Sequence, residues 1–322
     1  MRILLNIVAI LLFTPMGVSN AHGNELDLRI EKFAGKMSAI SMKSAKDIYL
    51  KDYWHEHQAA FRRNFPQNMH KPMVSQADKA QLKQLYSEIY NYLLVTSDPS
   101  ALSFLETIYA KQDTNNWLEE KNTWSMHRIY LSLRQFNKAK GFRQNNPGKG
   151  LVPPPEIKDW ASYGKALADG ERPVINTVAG ENFLELSEID LSAWTGVVVV
   201  GHPRCPFFKG FIKSIKSDPG LANAFLGNTL WLTDASLTDG AVIKWNLSRP
   251  KAEFHYVVTK PDWPEINYWG SPSFYFFDDS KLVRKVVGWP RDESEARKAA
   301  LKDSFQAIGI KIPKSDKIDN DG

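Results

Sequence analysis

Apolar residues recur at three- and four-residue spacing through most of the first 141 positions. Ile30, Phe33, Met37 and Ile40 mark one helical face, and Tyr49, Tyr53 and Trp54 begin a second segment that ends near Pro66. The clearest stripe is Leu82, Leu85, Tyr86, Ile89, Tyr90 and Leu93, preceded by Ser75-Gln76-Ala77-Asp78, which reads as a capping box. Asp98-Pro99 opens a short helix with Leu102, Leu105, Ile108 and Tyr109. Asp113-Thr114 opens a long one through Trp117, Trp124, Ile129, Tyr130 and Leu133, closing at Gly141. Short polar breaks separate the segments, so residues 25–145 are expected to form an all-α antiparallel bundle or hairpin array. No repeat period is evident.

The pattern then changes. Residues 146–155 carry Gly148, Gly150 and the run Pro153-Pro154-Pro155, which suits a stiff linker. Beyond it, short apolar runs alternate with helical periods. Val197-Val198-Val199-Val200 is what a strand buried on both faces looks like. Asn228 to Thr233 and Phe254 to Thr259 are further strands. Phe274 to Phe277 and Leu282 to Val287 read as an antiparallel hairpin across Asp278-Asp279-Ser280, and Glu293 to Ile308 as a closing helix. The expected class is α+β or α/β, with a central mixed sheet flanked by helices over residues 156–312. The polar tail 313–322 is expected to be disordered.

Composition adds three constraints. The chain has 322 residues, enough for two domains with cores of their own. Its net charge of +5 is spread among acids, too mild to argue for nucleic acid. Arg2, the apolar run Ile3 to Phe13 and the small-residue site Ser19-Asn20-Ala21 read as a signal peptide over residues 1–21. No later run suggests an integral membrane segment. An exported chain with one cysteine makes no internal disulfide, so that thiol is either buried and inert or reactive.

The cysteine is Cys205. It follows the valine strand after four residues, and Pro206 behind it suits the first turn of a helix. Phe207, Phe208, Phe211, Ile212 and Ile215 then keep helical spacing. The free N–H groups and dipole at that helix start favour a thiolate, and Arg204 and Lys209 add positive charge. His202, three residues before, is a candidate tuner or a plain turn residue. A metal site would need more ligands than His202 and Cys205 supply. His55-Glu56-His57 does not supply one either, because residues two apart on a helix point to different faces. The peroxidatic pattern of a threonine or serine three residues before the cysteine and a proline seven before is absent, since His202 and Val198 stand there.

Cys205-Pro206-Phe207-Phe208 at a strand-to-helix turn resembles the Cys-x-x-Cys motif of the thioredoxin-like family, with Phe208 in place of the resolving cysteine. Gly270-Ser271-Pro272-Ser273-Phe274 resembles the family's cis-proline stretch, and Lys281 to Gly288 its last strand. Asp190 to Gly196 resembles the lead-in of its periplasmic reductase and peroxiredoxin branches. The resemblance implies a thioredoxin-like domain in the last 150 or so residues, and a monothiol thiol-disulfide oxidoreductase in the periplasm or secreted. Cys205 would be the nucleophile, with His202 and Arg204 tuning it, and Ser271, Pro272, Phe208 and Trp269 would contact the partner. No cofactor is implied beyond an external thiol such as glutathione. The implied partner is a protein or peptide thiol or disulfide, with a homodimer as a further option. The competing reading is a peptide- or protein-binding module that has kept the fold and lost the redox activity. The helical part resembles no family.

Overall fold

The computed structural model describes residues 21–46, 53–163, 167–178, 183–290 and 294–312. Tyr49, residues 1–20 of the expected leader and the tail 313–322 lie outside the described residues. The architecture is mixed α/β, with a helical N-terminal region followed by an eight-stranded mixed sheet.

The helical region comprises α1 (Ala21–Lys46), α2 (Tyr53–Asn64), α3 (His70–Gln76), α4 (Lys79–Thr96), α5 (Leu102–Thr114), α6 (Glu120–Ser132) and α7 (Phe136–Asn145). The expected stripes face inward: Ile30, Phe33 and Ile40 of α1 and Leu82, Leu85, Ile89 and Leu93 of α4 are all buried. Aromatic rings fill the space between them. Phe61 stacks on Tyr92 with centroids 4.7 Å apart, and Phe65 meets Phe33 edge-on at 5.0 Å.

Two boundaries differ from the sequence expectation. The capping box belongs to Asp78, not Ser75. The Asp78 carboxylate accepts from the Gln81 backbone N–H (2.9 Å), and the Gln81 side chain accepts from the Asp78 N–H (3.2 Å). Ser75 lies inside α3, its hydroxyl donating to the Pro72 carbonyl; the chain turns only at Ala77, which is extended. The long helix expected from Asp113 to Gly141 is two helices, and Asp113 and Thr114 finish α5 instead of opening it. The break falls at Arg134, whose φ of +56° takes it out of helical geometry. Its side chain turns inward, where Nη1 donates to the Leu131 carbonyl and Nη2 to the Val257 carbonyl at 2.7 Å.

The sheet region begins with β1 (Ile157–Lys158), β2 (Glu171–Thr177), β3 (Leu184–Asp190) and β4 (Gly196–Val200). It continues through α8 (Pro206–Lys216), α9 (Pro219–Gly227), β5 (Thr229–Thr233), α10 (Gly240–Ser248) and β6 (Phe254–Val257). It closes with β7 (Ser273–Asp278), β8 (Lys281–Val287) and α11 (Ser294–Ala307). The strand order is β1-β3-β2-β6-β5-β4-β7-β8. β4, β5 and β6 run parallel, whereas β7 is antiparallel to β4 and β8 to β7. β2 and β3 form an antiparallel pair that extends the sheet beyond β6.

β4 sits between β5 and β7, so its valines are covered on both faces. Val197 and Val199 join one core layer, with Phe208, Phe211, Trp231 and Phe274; Val198 and Val200 join the other, with Leu232, Tyr275, Phe277 and Trp263. Burying each valine stabilises the fold by roughly 1.5–3 kcal/mol. Because β4, β5 and β6 are parallel, the loops after them open on one edge of the sheet, the usual place for a site in such an arrangement.

Three cations tie the regions together at helix ends. Lys260, buried, donates to the Leu94 (2.7 Å) and Val95 (3.2 Å) carbonyls at the end of α4 and pairs with Asp234 at 2.7 Å. Arg134 does the same for α6, and Lys285 donates to the Ser44 carbonyl near the end of α1. Helix C-termini carry partial negative charge, so each contact is favourable. Burial pulls the Arg134 guanidinium down to about 10, which leaves it charged at neutral pH. Among the described residues, no helix is long and apolar enough to cross a membrane.

Candidate functional site

The site forms where β4 ends. A Cβ at Gly201 would come within 2.7 Å of the Phe208 ring and 3.2 Å of Phe254, so the chain can leave the sheet here only as glycine. The next residues make a tight turn, with the Cys205 N–H donating to the His202 carbonyl at 3.0 Å. Cys205 is the N-cap of α8, and its carbonyl accepts from the Lys209 N–H. Pro206 follows at the first helical position, where a missing N–H costs nothing.

The thiol is half-buried. It makes no capping hydrogen bond to the helix. Instead Sγ donates to the Ser271 carbonyl at 3.2 Å. That corrects one expectation: α8 offers the sulfur no direct N–H partner, and its nearest polar contact is an acceptor that uses the thiol proton. The Ser271–Pro272 peptide bond is cis. Ser271 is also tied to the turn through its hydroxyl, which accepts from the His202 N–H at 3.0 Å. The Pro272 carbonyl accepts from the Gly288 N–H, which secures this loop to the far end of β8.

His202 Nδ1 accepts from the Arg204 backbone N–H at 3.1 Å, and Nε2 lies 3.3 Å from Asp239 Oδ2. With Nδ1 accepting, the ring proton sits on Nε2 and points at the carboxylate. Arg204 Nη2 approaches the same carboxylate at 3.4 Å, but its side chain is 66% exposed, so this pair contributes little. Asp239 caps α10, accepting from the Ala241 N–H at 2.8 Å.

The structure thus brings Cys205, His202, Ser271 and Pro272 together, with the Arg204 side chain reaching outward to Asp239. One residue expected to contact a partner lies elsewhere. Phe208 is fully buried, ringed by Trp245, Phe254, Phe211 and Trp231 at centroid distances of 5.4–6.1 Å. It packs the core and presents nothing to a partner. That is a correction: the position matching a resolving cysteine is an inward helical position in this chain. Trp269 packs against the opposite core layer, with the Lys260 ammonium 6.0 Å from its ring centroid. Asp239 was not expected at the site. Its signal in the sequence is an aspartate and glycine preceding Val242, Trp245 and Asn246, a helix start that places the carboxylate at the loop after β5.

Among the described residues, no group of three or more His, Cys, Asp or Glu is placed to hold a metal ion. His57 turns into the helical core, where its Nδ1 meets Met37 Sδ. In comparisons with known proteins, no family model, curated protein or solved structure matches the chain.

Proposed function

We propose that the sheet region is a thioredoxin-like domain and that Cys205 exchanges disulfides as a single active thiol, in an exported protein. The fold part of this reading is supported by the order β6-β5-β4-β7-β8. The strand that leads to Cys205, β4, has parallel strands on one side and an antiparallel hairpin on the other. The observation that carries the chemical part is the part-buried Cys205, whose Sγ lies 3.2 Å from the Ser271 carbonyl at the edge where the parallel strands end.

The reaction begins when the Cys205 thiol gives its proton to solvent. The thiolate attacks one sulfur of a partner disulfide, forming the Cys205–partner bond and releasing the other sulfur as a thiolate. The chain has no second cysteine, so an external thiol must resolve the mixed disulfide. That thiolate attacks the partner's sulfur and Cys205 leaves reduced. Ser271 and Pro272 border the sulfur and would orient the partner chain; His202 and Ser271 hold the turn.

A second reading, a binding module without redox chemistry, is favoured by one observation: Sγ spends its proton on a carbonyl and receives no helix N–H. One experiment separates them. The native full chain is exposed to iodoacetamide across pH, then to oxidised glutathione, with Cys205→Ser as the blank. The redox reading expects one adduct on the folded protein at neutral pH and a mixed disulfide that added thiol reverses. Labelling that waits for denaturant would overturn it in favour of the binding module.

A further inference from the structure

The turn that carries Cys205 is held from two sides. One side is the Ser271 loop, through the His202 N–H and the sulfur itself. The other is Asp239, which belongs to neither the cysteine turn nor the proline loop. It stands at the start of α10, after β5, and receives the imidazole N–H of His202. We propose that Asp239 is a positioning residue: through His202 it clasps the Cys205 turn against the Ser271–Pro272 edge. The proposal rests on the disulfide-exchange reading above.

The contacts form one connected set. Asp239 Oδ1 is committed to the Ala241 N–H, which fixes the carboxylate on the α10 terminus. Oδ2 is left for His202 Nε2. The same ring's Nδ1 accepts from the Arg204 N–H, one residue before the cysteine. His202 is therefore held in one tautomer and one orientation, with both nitrogens in use. In this arrangement it has no free lone pair for the thiol proton, so its part is to hold the turn and not to act as a base. The Asp239 side chain is 17% exposed and His202 25%, so water competes poorly for these bonds.

The charge of Asp239 is not the point; its acceptor oxygen is. Asn at 239 has the same shape and still caps a helix well. Its oxygen can serve the Ala241 N–H, but its NH2 then faces the Nε2–H of His202, donor against donor. Asp239→Asn should therefore fold and yet open the clasp. Asp239→Ser keeps the cap and is too short to reach the ring.

The test uses the full chain, native, Asp239→Asn and Asp239→Ser. NMR of the His202 ring reads the Nε2–H proton, whose shift and exchange with water report its hydrogen bond. Iodoacetamide reads the bare thiol, and oxidised glutathione reads exchange, which needs the sulfur placed at the edge. Asp218→Ala is the control, because Asp218 caps α9 in the same manner, accepting from the Leu221 N–H. The Arg204 N–H keeps Nδ1 an acceptor throughout, so native protein should show a hydrogen-bonded Nε2–H that exchanges slowly with water, and both Asp239 variants should lose that protection. Exchange should fall about tenfold relative to alkylation in both, as expected when a reacting atom loses its placement. Asp218→Ala should change neither. An unchanged Nε2–H signal in both Asp239 variants, or an equal effect in Asp218→Ala, overturns the proposal. If native protein neither alkylates nor exchanges, the redox reading fails, and the ring signature still decides whether the clasp exists. A clasp that opens with no change in exchange sinks the positioning role alone.

Discussion

The two regions differ in how many polar groups they bury. The helical region threads them through its core. Asn122 donates to Gln112 at 3.0 Å, and the Tyr86 hydroxyl donates to the Asn122 carbonyl. Tyr92 donates to Asp98, and His70 stacks on Phe104 at 4.0 Å. Burial pushes the Tyr86 and Tyr92 hydroxyls well above the usual tyrosine range, so both stay neutral donors. The sheet region buries fewer such groups, among them Asn246, which donates to the Phe254 carbonyl, and fills the rest with rings, Phe211 against Phe274 at 4.7 Å and Phe225 against Phe305 at 5.0 Å. Cys205, His202, Asp239 and Lys260 gather at the edge where β4 to β6 end. The difference follows from what fixes each architecture. A sheet's register is set by its ladder and by alternation. Helices can slide and rotate on an apolar face, and a buried polar pair that must be satisfied limits the orientations open to them.

That contrast depends on the two regions folding as one body, and the largest predicted effect tests this. Lys260→Met removes the cation that three oxygens share: the Leu94 and Val95 carbonyls and the Asp234 carboxylate. The exposed Asp234 carboxylate returns to water, but the two helix-end carbonyls lose a charged donor, at a cost of about 3 kcal/mol together. Calorimetry should show one transition moved down. Two separate transitions, one unmoved, would mean that the regions unfold independently and that the cation clamps are incidental.

What could be read in advance follows the same divide. The valine strand, the turn to Cys205, the following helix and the last hairpin are local patterns, with alternation or period visible within about ten residues. The first hairpin of the sheet, β2 and β3, escaped notice because Pro173 stands in one strand and Glu185 and Glu188 in the other, masking alternation. The break at Arg134 was invisible because helical spacing continues on both sides of it. Only its distant carbonyl partner at Val257 explains the turn. Phe208 was placed by motif position, although Phe208, Phe211 and Ile215 already lie on one helical face and are buried together. Asp239 was missed for the plainest reason. It is 37 residues from His202, and nothing in a single sequence marks that pairing.

Each region also holds a histidine that acid should find. Burial lowers His57 in the helical core to about 4, and His255, which donates to Asn176 at 2.6 Å, to about 4 as well. Both are neutral when folded. In the unfolded chain they take a proton near 6.5, so stability is lost as pH falls through 6.5 and goes on falling until the folded form is protonated near 4. The loss by pH 5 is about 2 kcal/mol for His57 and less for the half-buried His255. His57→Gln should flatten the acid limb of a urea stability–pH curve between pH 7 and 5. His255→Gln should flatten it less. Equal curves for native protein and His57→Gln would mean that water reaches the helical core and that its polar threading is looser than described.

The smallest effect is the most pointed comparison. Asp78→Ala removes the carboxylate that caps α4 and leaves the backbone N–H of residue 78 on the Gln81 side chain, at a cost of about 1 kcal/mol. This cap and that of Asp239 on α10 have the same chemistry, a carboxylate accepting from a backbone N–H within the first helical turn. The expected outcomes differ because of what else each carboxylate holds. At α4 the carboxylate serves the Gln81 N–H of the same helix, so Asp78→Ala should lower the urea midpoint and leave the rate of Cys205 alkylation within experimental error of native. At α10 the second partner is His202 in the thiol's own turn. If Asp78→Ala altered the thiol as much as Asp239→Asn does, Cys205 would be reporting global stability. The separation drawn here between a polar-threaded helical core and a chemical edge on the sheet would then collapse.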